Sequence, residues 1–304
     1  LLAALASGAC GTLAFAPFRW WPLALLSMAT LFALWCQAGS ARWRFMLGFV
    51  WGLGLFGAGV SWVYVSLHVY GNMPAPLAGL ATFLFCCYLA LYPAAAGMLS
   101  HWISKRLHID SLASLLLVVP ACFALCEYLR GWVVTGFPWL TFGYSQAPGG
   151  SFDGPLSGFA PLAGVHAISW LLALSAAMLI ALARQLVGFT LPRRGRLALV
   201  AGLLAIWGVA AGLRHVEWST RSGPAVPVAL LQGNVPQELK WRADQQESTL
   251  QNYAELVQRT HARLIVLPET ALPGFLDQMP AEYLRSLAQH AAKNGGDLIA
   301  GVPV

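Results

Sequence analysis

A chain of 304 residues has room for one large or two modest soluble domains, but 58% of it is hydrophobic and only 10% is charged, against about 25% charged in an ordinary soluble protein. With a mean hydropathy of +0.64, this balance excludes a fully soluble protein, a disordered chain, a coiled coil and a disulfide-stapled secreted domain. The net charge of +6 is unevenly spread: residues 1–213 hold ten Lys/Arg against three Asp/Glu, and residues 214–304 hold eight against nine. The polar part therefore lacks the basic cluster that a nucleic-acid partner requires.

In chain order, apolar runs with few or no charges occupy 1–18, 20–41, 45–70, 75–104, 111–126, 154–183 and 197–213. A membrane-crossing helix needs about 20 apolar residues, so about seven spans are predicted over 1–213. The first two are the least regular, because Pro17 and Pro22 bracket a Phe18-Arg19-Trp20-Trp21 turn that a helical hairpin could make. Arg42 and Arg44, Lys105 and Arg106, and Arg184, Arg193, Arg194 and Arg196 fall in alternate loops, whereas the intervening loops hold only Arg19 and Arg130. The positive-inside rule places the basic loops in the cytoplasm and everything after Leu213 on the outer side. On that side, residues 131–153 are aromatic yet rich in Gly and Pro. They are predicted to be interfacial or re-entrant, with Trp132, Trp139 and Tyr144 at headgroup level.

After a linker at 214–223 the character becomes that of a soluble α/β domain over 224–304. Strands are predicted at 227–232, 264–267 and 297–302, and helices at 244–262 and 280–293, an alternation that calls for parallel strands with right-handed crossovers. Because the sequence stops on a strand, this domain is expected to be the incomplete N-terminal part of a larger one.

Glu269, in Leu267-Pro268-Glu269-Thr270-Ala271, falls just past the end of a buried parallel strand, where open α/β sheets place ligands. It is a candidate general base, activated by desolvation; a residue capping the next turn is the alternative. Gly52-x-Gly54-x-x-Gly57 satisfies a dinucleotide string but lies inside an apolar run, where small residues serve helix packing. Glu127 and Arg130, three apart, are expected to form an interfacial ion pair. All six cysteines lie in apolar stretches and read as packing residues. The seven histidines form no HxxxH pair, so no metal is expected, and no GxSxG elbow is present.

The strings Glu127-Tyr128-Leu129-Arg130-Gly131-Trp132, Thr135-Gly136-Phe137-Pro138-Trp139 and Gly143-Tyr144-Ser145-Gln146 precede Leu231-Gln232-Gly233-Asn234-Val235-Pro236-Gln237, Leu239-Lys240-Trp241 and Pro268-Glu269-Thr270. In this order, together with the seven apolar runs, the chain resembles the apolipoprotein N-acyltransferases of Gram-negative bacteria over essentially its whole length. The resemblance implies a multi-pass protein of the bacterial inner membrane with a nitrilase-like α-β-β-α sandwich facing the periplasm, here present as its first half. It implies transfer of an acyl chain from a phospholipid, chiefly phosphatidylethanolamine, to the amine of a diacylglyceryl-cysteine apolipoprotein, without a cofactor.

The reaction implied runs through a Glu-Lys-Cys triad and a thioester acyl-enzyme. Glu269 matches the triad Glu, and Trp241 matches an aromatic near the substrate entrance. The triad Lys and Cys are expected beyond Val304, because no Cys follows Cys126 and Lys293 precedes the third strand. Residues 1–304 alone are accordingly expected to be inactive. Phe137, Pro138, Trp139, Leu140 and Phe142 are expected to form an apolar ramp for acyl chains, with Tyr144 beside it. The rival readings are a membrane-tethered nitrilase-type amidase and a non-enzymatic transporter or scaffold. The latter would need more ionisable groups in the spans than these runs offer.

Overall fold

The structure is a computed structural model and describes residues 1–147, 153–187 and 190–304. Residues 148–152 of the predicted aromatic loop and 188–189 of the last basic loop lie outside the described residues. The chain divides into two compact units, Leu1–Trp218 and Ser219–Val304.

The first unit is all helical, with a helix in every predicted apolar run. Helix α1 (Leu2–Gly11) tightens into a 3₁₀ turn, Thr12–Ala14, before the proline-bracketed turn, and α2 (Pro22–Gln37) starts on the proline whose missing N–H costs nothing at a first helical position. Both are shorter than the four helical segments that, among the described residues, are long and apolar enough to cross a bilayer. At about 1.5 Å per residue the 16 residues of α2 fall short of a hydrocarbon core of about 30 Å. Apolar run length overstated them because the prolines cut the helices before the hydrophobicity ends.

Helix α3 (Ala41–Gly59) is capped by the Ser40 hydroxyl, which accepts from Trp43 N at 3.3 Å. It continues after a 51° bend into Trp62–Tyr70, made of α4 (Trp62–Val65) and a π-helical turn. Helix α5 (Ala75–Arg106) is uninterrupted through Pro93. The next span, Ser111–Arg130, joins α6 (Ser111–Ala113) through a π-helical turn to α7 (Val119–Arg130), with Asp110 capping two amide groups. Helix α8 (Ala160–Ala183) breaks at Gly164, whose φ of +70° is non-helical. Helix α9 (Arg193–Leu213) takes Arg193, Arg194 and Arg196 into its first turns, so these charges belong to a helix end rather than to a loop. The unit's core is a column of aromatic rings. Phe142 stacks on Trp51 at 5.7 Å and meets Phe123 and Phe15 edge-on, while Trp51 Nε1 donates to Ser27 Oγ at 3.0 Å. Of the cysteines, Cys86, Cys122 and Cys126 are buried as expected, but Cys10 is exposed.

In the second unit β1 (Val228–Leu230), α10 (Ala243–Gln258), β2 (Leu264–Val266), α11 (Ala281–Lys293) and β3 (Asp297–Ile299) alternate. The strands pair in parallel in the order β1-β2-β3, with Ala229, Ile265 and Leu298 in register. Two right-handed crossovers running in the same direction carry both helices to one face of the sheet. Ile265 is fully buried there and packs with Tyr253, Val257 and Leu287. The opposite face presents Val228, Leu230 and Ile299, exposed at 52%, 78% and 56%. One helical layer on one sheet is the first half of an α-β-β-α sandwich. The helix predicted at 244–262 ends four residues early, at Gln258.

Candidate functional site

The helical unit builds an apolar groove of about 710 Å³, lined among others by Phe15, Trp62, Phe137, Pro138, Trp139 and Tyr144. It falls within the roughly 300–1,000 Å³ of small-molecule sites. Three of the four candidate substrate residues, Phe137, Trp139 and Tyr144, therefore converge on one cavity. Trp139 rests against Trp62 with ring centroids 5.4 Å apart, and Phe137 against Phe85 at 4.9 Å. Phe142, expected on the same ramp, is instead 1% exposed inside the aromatic column. Phe142 points inward at the start of a short 3₁₀ helix, Phe142–Gln146, and stacks on Trp51.

What holds this wall is a pair that sequence spacing had placed at the interface. Glu127 and Arg130 are buried, at 5% and 3% exposure, and their charged atoms approach to 4.0 Å. Arg130 Nη1 donates to the carbonyls of Phe137 at 2.6 Å and Trp139 at 2.5 Å, Nη2 donates to Thr141 Oγ1 at 3.4 Å, and the guanidinium lies 5.2 Å from the Phe56 ring centre. Glu127 Oε1 accepts from Phe142 N at 2.8 Å, and Gly143 N donates to Ser169 Oγ at 2.7 Å. Arg130 is thus an internal clamp rather than a loop charge. The i, i+3 spacing showed the pair, but only tertiary structure shows its five partners.

In the α/β unit Glu269 stands just beyond the C-terminal end of β2, the central strand, and is exposed. The desolvation expected from its apolar sequence neighbours is not supplied by the described residues. Its turn is tightly specified. Thr270 holds φ +48°, and Asn234, after β1 at the same sheet edge, holds φ +49°, a left-handed conformation that costs a non-glycine residue roughly 1–2 kcal/mol. A side chain at Gly301, after β3, would lie 2.5 Å from Thr270 N and 2.8 Å from Glu269 Cα, so only glycine allows that approach. Lys240 Nζ donates to the Glu269 carbonyl at 3.1 Å, a contact that sequence reading missed because 29 residues separate the two. Trp241, next to it, is 61% exposed. Lys293 ends α11 and so leads to the N-terminal edge of the sheet, opposite Glu269. Among the described residues no cluster of three or more His, Cys, Asp or Glu side chains could hold a metal ion.

The architecture is that of a multi-pass membrane protein whose helical unit is followed by the first half of a nitrilase-like α/β domain. Residues 7–178 match the family described as apolipoprotein N-acyltransferase N-terminal domain, and residues 227–304 match carbon-nitrogen hydrolase. The chain is 44% identical over 302 residues to the apolipoprotein N-acyltransferase of Nitrosomonas europaea, covering 99% of this chain and 58% of that protein. It is 42% identical to that of Chromobacterium violaceum, over 100% of this chain and 56% of the relative, and 40% identical to that of Methylococcus capsulatus, over 100% and 57%. The chain belongs to the apolipoprotein N-acyltransferase family, and it spans somewhat more than half the length of these relatives.

Proposed function

We propose that the protein to which this chain contributes is an enzyme that moves an acyl chain from a membrane phospholipid, chiefly phosphatidylethanolamine, to the N-terminal amine of a diacylglyceryl-cysteine apolipoprotein. The observation that carries this reading is a lipid-sized apolar groove in a membrane unit whose chain continues into a carbon-nitrogen hydrolase domain with Glu269 at the ligand-binding edge of its sheet. Each CH₂ withdrawn into water costs about 0.8 kcal/mol, so a lipid acyltransferase needs such a groove, and an amidase acting on a soluble amide does not.

In the proposed reaction Glu269 takes the proton of a cysteine thiol lying beyond Val304. The thiolate attacks the phospholipid ester carbonyl, a lysine also beyond Val304 steadies the oxyanion, and the lysophospholipid departs with a proton. The lipoprotein amine then attacks the thioester, forming the amide and returning the thiol. Phe137, Trp139 and Tyr144 guide the acyl chain, and Trp241 flanks the entrance. The residues from Ser219 onward face the periplasm from the inner membrane, the orientation that loop charges assign.

The test is acyl transfer from labelled phosphatidylethanolamine to a diacylglyceryl peptide by the full-length protein in detergent. A hydroxylamine-labile acyl-enzyme and a labelled peptide are expected. Hydrolysis of soluble amides without either product would establish the amidase instead.

A further inference from the structure

Glu127 uses one carboxylate oxygen on Phe142 N, while its Oε2 is buried without a hydrogen-bond donor placed to reach it; the Ser169 hydroxyl also interacts with this carboxylate. The nearest approach of the Arg130 guanidinium to the carboxylate is 4.0 Å, from Nη2 to Oε1, too far for a direct hydrogen bond, so no direct bond from Arg130 satisfies the carboxylate, and a polar contact across such a gap calls for an intervening water. Beside the pair lies a small cavity of about 20 Å³, lined by Tyr92, Cys126, Glu127, Arg130, Leu140 and Phe142 among others. One water molecule needs roughly 10–15 Å³ and two to four polar partners. Glu127 and Arg130, both among the lining residues, can provide them, and most of the other lining residues are apolar.

We propose that this cavity is a binding site for a single water joining Glu127 Oε2 to Arg130, and that the hydrated pair is the positioning device for the groove wall. Neither Glu127 nor Arg130 lines the groove. They act through the backbone they hold: Phe137 O, Trp139 O and Phe142 N are all fixed by the two side chains, and these residues frame the segment carrying Phe137, Trp139 and Leu140 to the groove. A buried ion pair in a membrane unit is expensive, and fixing six residues of irregular backbone at membrane depth is what it achieves. The effect on lipid use rests on the function proposed above; the water and the loop order do not.

Three measurements on the full-length protein in nanodiscs test the proposal. A structure resolving waters is expected to show one within hydrogen-bond distance of Glu127 Oε2 and the Arg130 guanidinium; an empty cavity with the Ser169 hydroxyl turned to Oε2 would overturn it. Arg130→Lys keeps the charge but loses the planar fork, so amide exchange of residues 137–142 should accelerate about tenfold, the scale of losing one charge-assisted hydrogen bond. Cys126→Val, which adds about a methyl group to the cavity wall and leaves both charges in place, should displace the water and accelerate the same amides; unchanged exchange in both variants refutes the device. With phospholipid as donor, Arg130→Lys should raise KM about tenfold while kcat stays within about twofold. A fall in kcat at unaltered KM would refute the positioning role. If the wild-type protein transfers no acyl chain, the functional reading fails, and the water and exchange measurements still decide this proposal.

Discussion

The glycines of α3 offer a sharp test of how the helical unit is packed. A methyl group added at Gly54 would overlap the Leu5 carbonyl oxygen of α1, and its other near neighbours are also backbone atoms, Ala9 N and Leu5 C. Backbone of a packed helix cannot turn aside as a side-chain tip can, so Gly54→Ala must push α1 away. At Gly57, three residues on, an added methyl meets nothing within 4 Å. Both substitutions gain the same helix propensity, up to about 1 kcal/mol, and that term cancels when the two variants are compared. What remains is overpacking at Gly54, about 1–3 kcal/mol. In detergent, thermal unfolding followed by tryptophan fluorescence should place Gly54→Ala below Gly57→Ala by that amount, with Gly57→Ala at or above wild type. Equal midpoints for the two variants would refute the packing account.

Other expectations concern the candidate site in the full-length protein. Glu269→Gln should lower thioester formation from phosphatidylethanolamine by roughly 10²-fold or more with unchanged abundance in the membrane; normal acyl-enzyme yield would make Glu269 a turn residue. Trp139→Ala and Trp241→Ala should each impair acylation by phospholipid more than alkylation of the nucleophile by a small soluble reagent, and equal losses in both assays would argue against a lipid path. Phe142→Ala, by contrast, empties a fully buried site between Trp51 and Phe123. It should cost about 3–5 kcal/mol of stability, read as a lower unfolding midpoint; a stable variant with selectively poor lipid use would return Phe142 to the groove.

The features that were legible in the sequence are those set by local chemistry. Apolar runs and their charged breaks located every helix of the first unit, and the alternation of strand and helix located a parallel sheet with Glu269 past the end of its central strand. Run length failed at α1 and α2 because it counts hydrophobicity and not backbone continuity, which Pro17 and Pro22 interrupt. The groove wall was legible only by resemblance and only in part, since whether an aromatic in an irregular segment points out, as Trp139 does, or in, as Phe142 does, is decided by distant partners such as Trp51 and Arg130. Lys240 lay beyond reach for the same reason. Its contact with the Glu269 carbonyl joins the turn after β1 to the turn after β2, and nothing in either segment announces it.

Orientation in the bilayer shows how the structure sharpens an argument begun with charges. The two short N-terminal helices form a pair, so whether they cross twice or dip and return, they leave Arg42 and Arg44 on the side where the chain starts. The bent segment is different: if Ala41–Gly59 and Trp62–Tyr70 make one broken span, then residues 71–74 face away from Arg42 and Arg44; if the segment is re-entrant, they share a side. The expectation for the rest comes from the four candidate spans Ala75–Arg106, Ser111–Arg130, Pro155–Ala183 and Arg193–Leu213. With Lys105 and Arg106 at one end and Arg184, Arg193, Arg194 and Arg196 at the corresponding end two spans later, the positive-inside rule predicts residues after Leu213 on the outer side however the first 74 residues are arranged. Burying Arg130 strengthens this, because it removes a cation from the loops assigned to that side. Reporters fused after Arg194 and after Ser222 should therefore report cytoplasm and periplasm. A reporter after Gln37 should agree with the first of these, because only a true crossing by the bent segment keeps Arg42 and Arg44 inside. If the Gln37 fusion sides with Ser222 while Arg194 remains inside, the bent segment is re-entrant; if Arg194 and Ser222 report the same side, the loop charges do not govern this protein's topology.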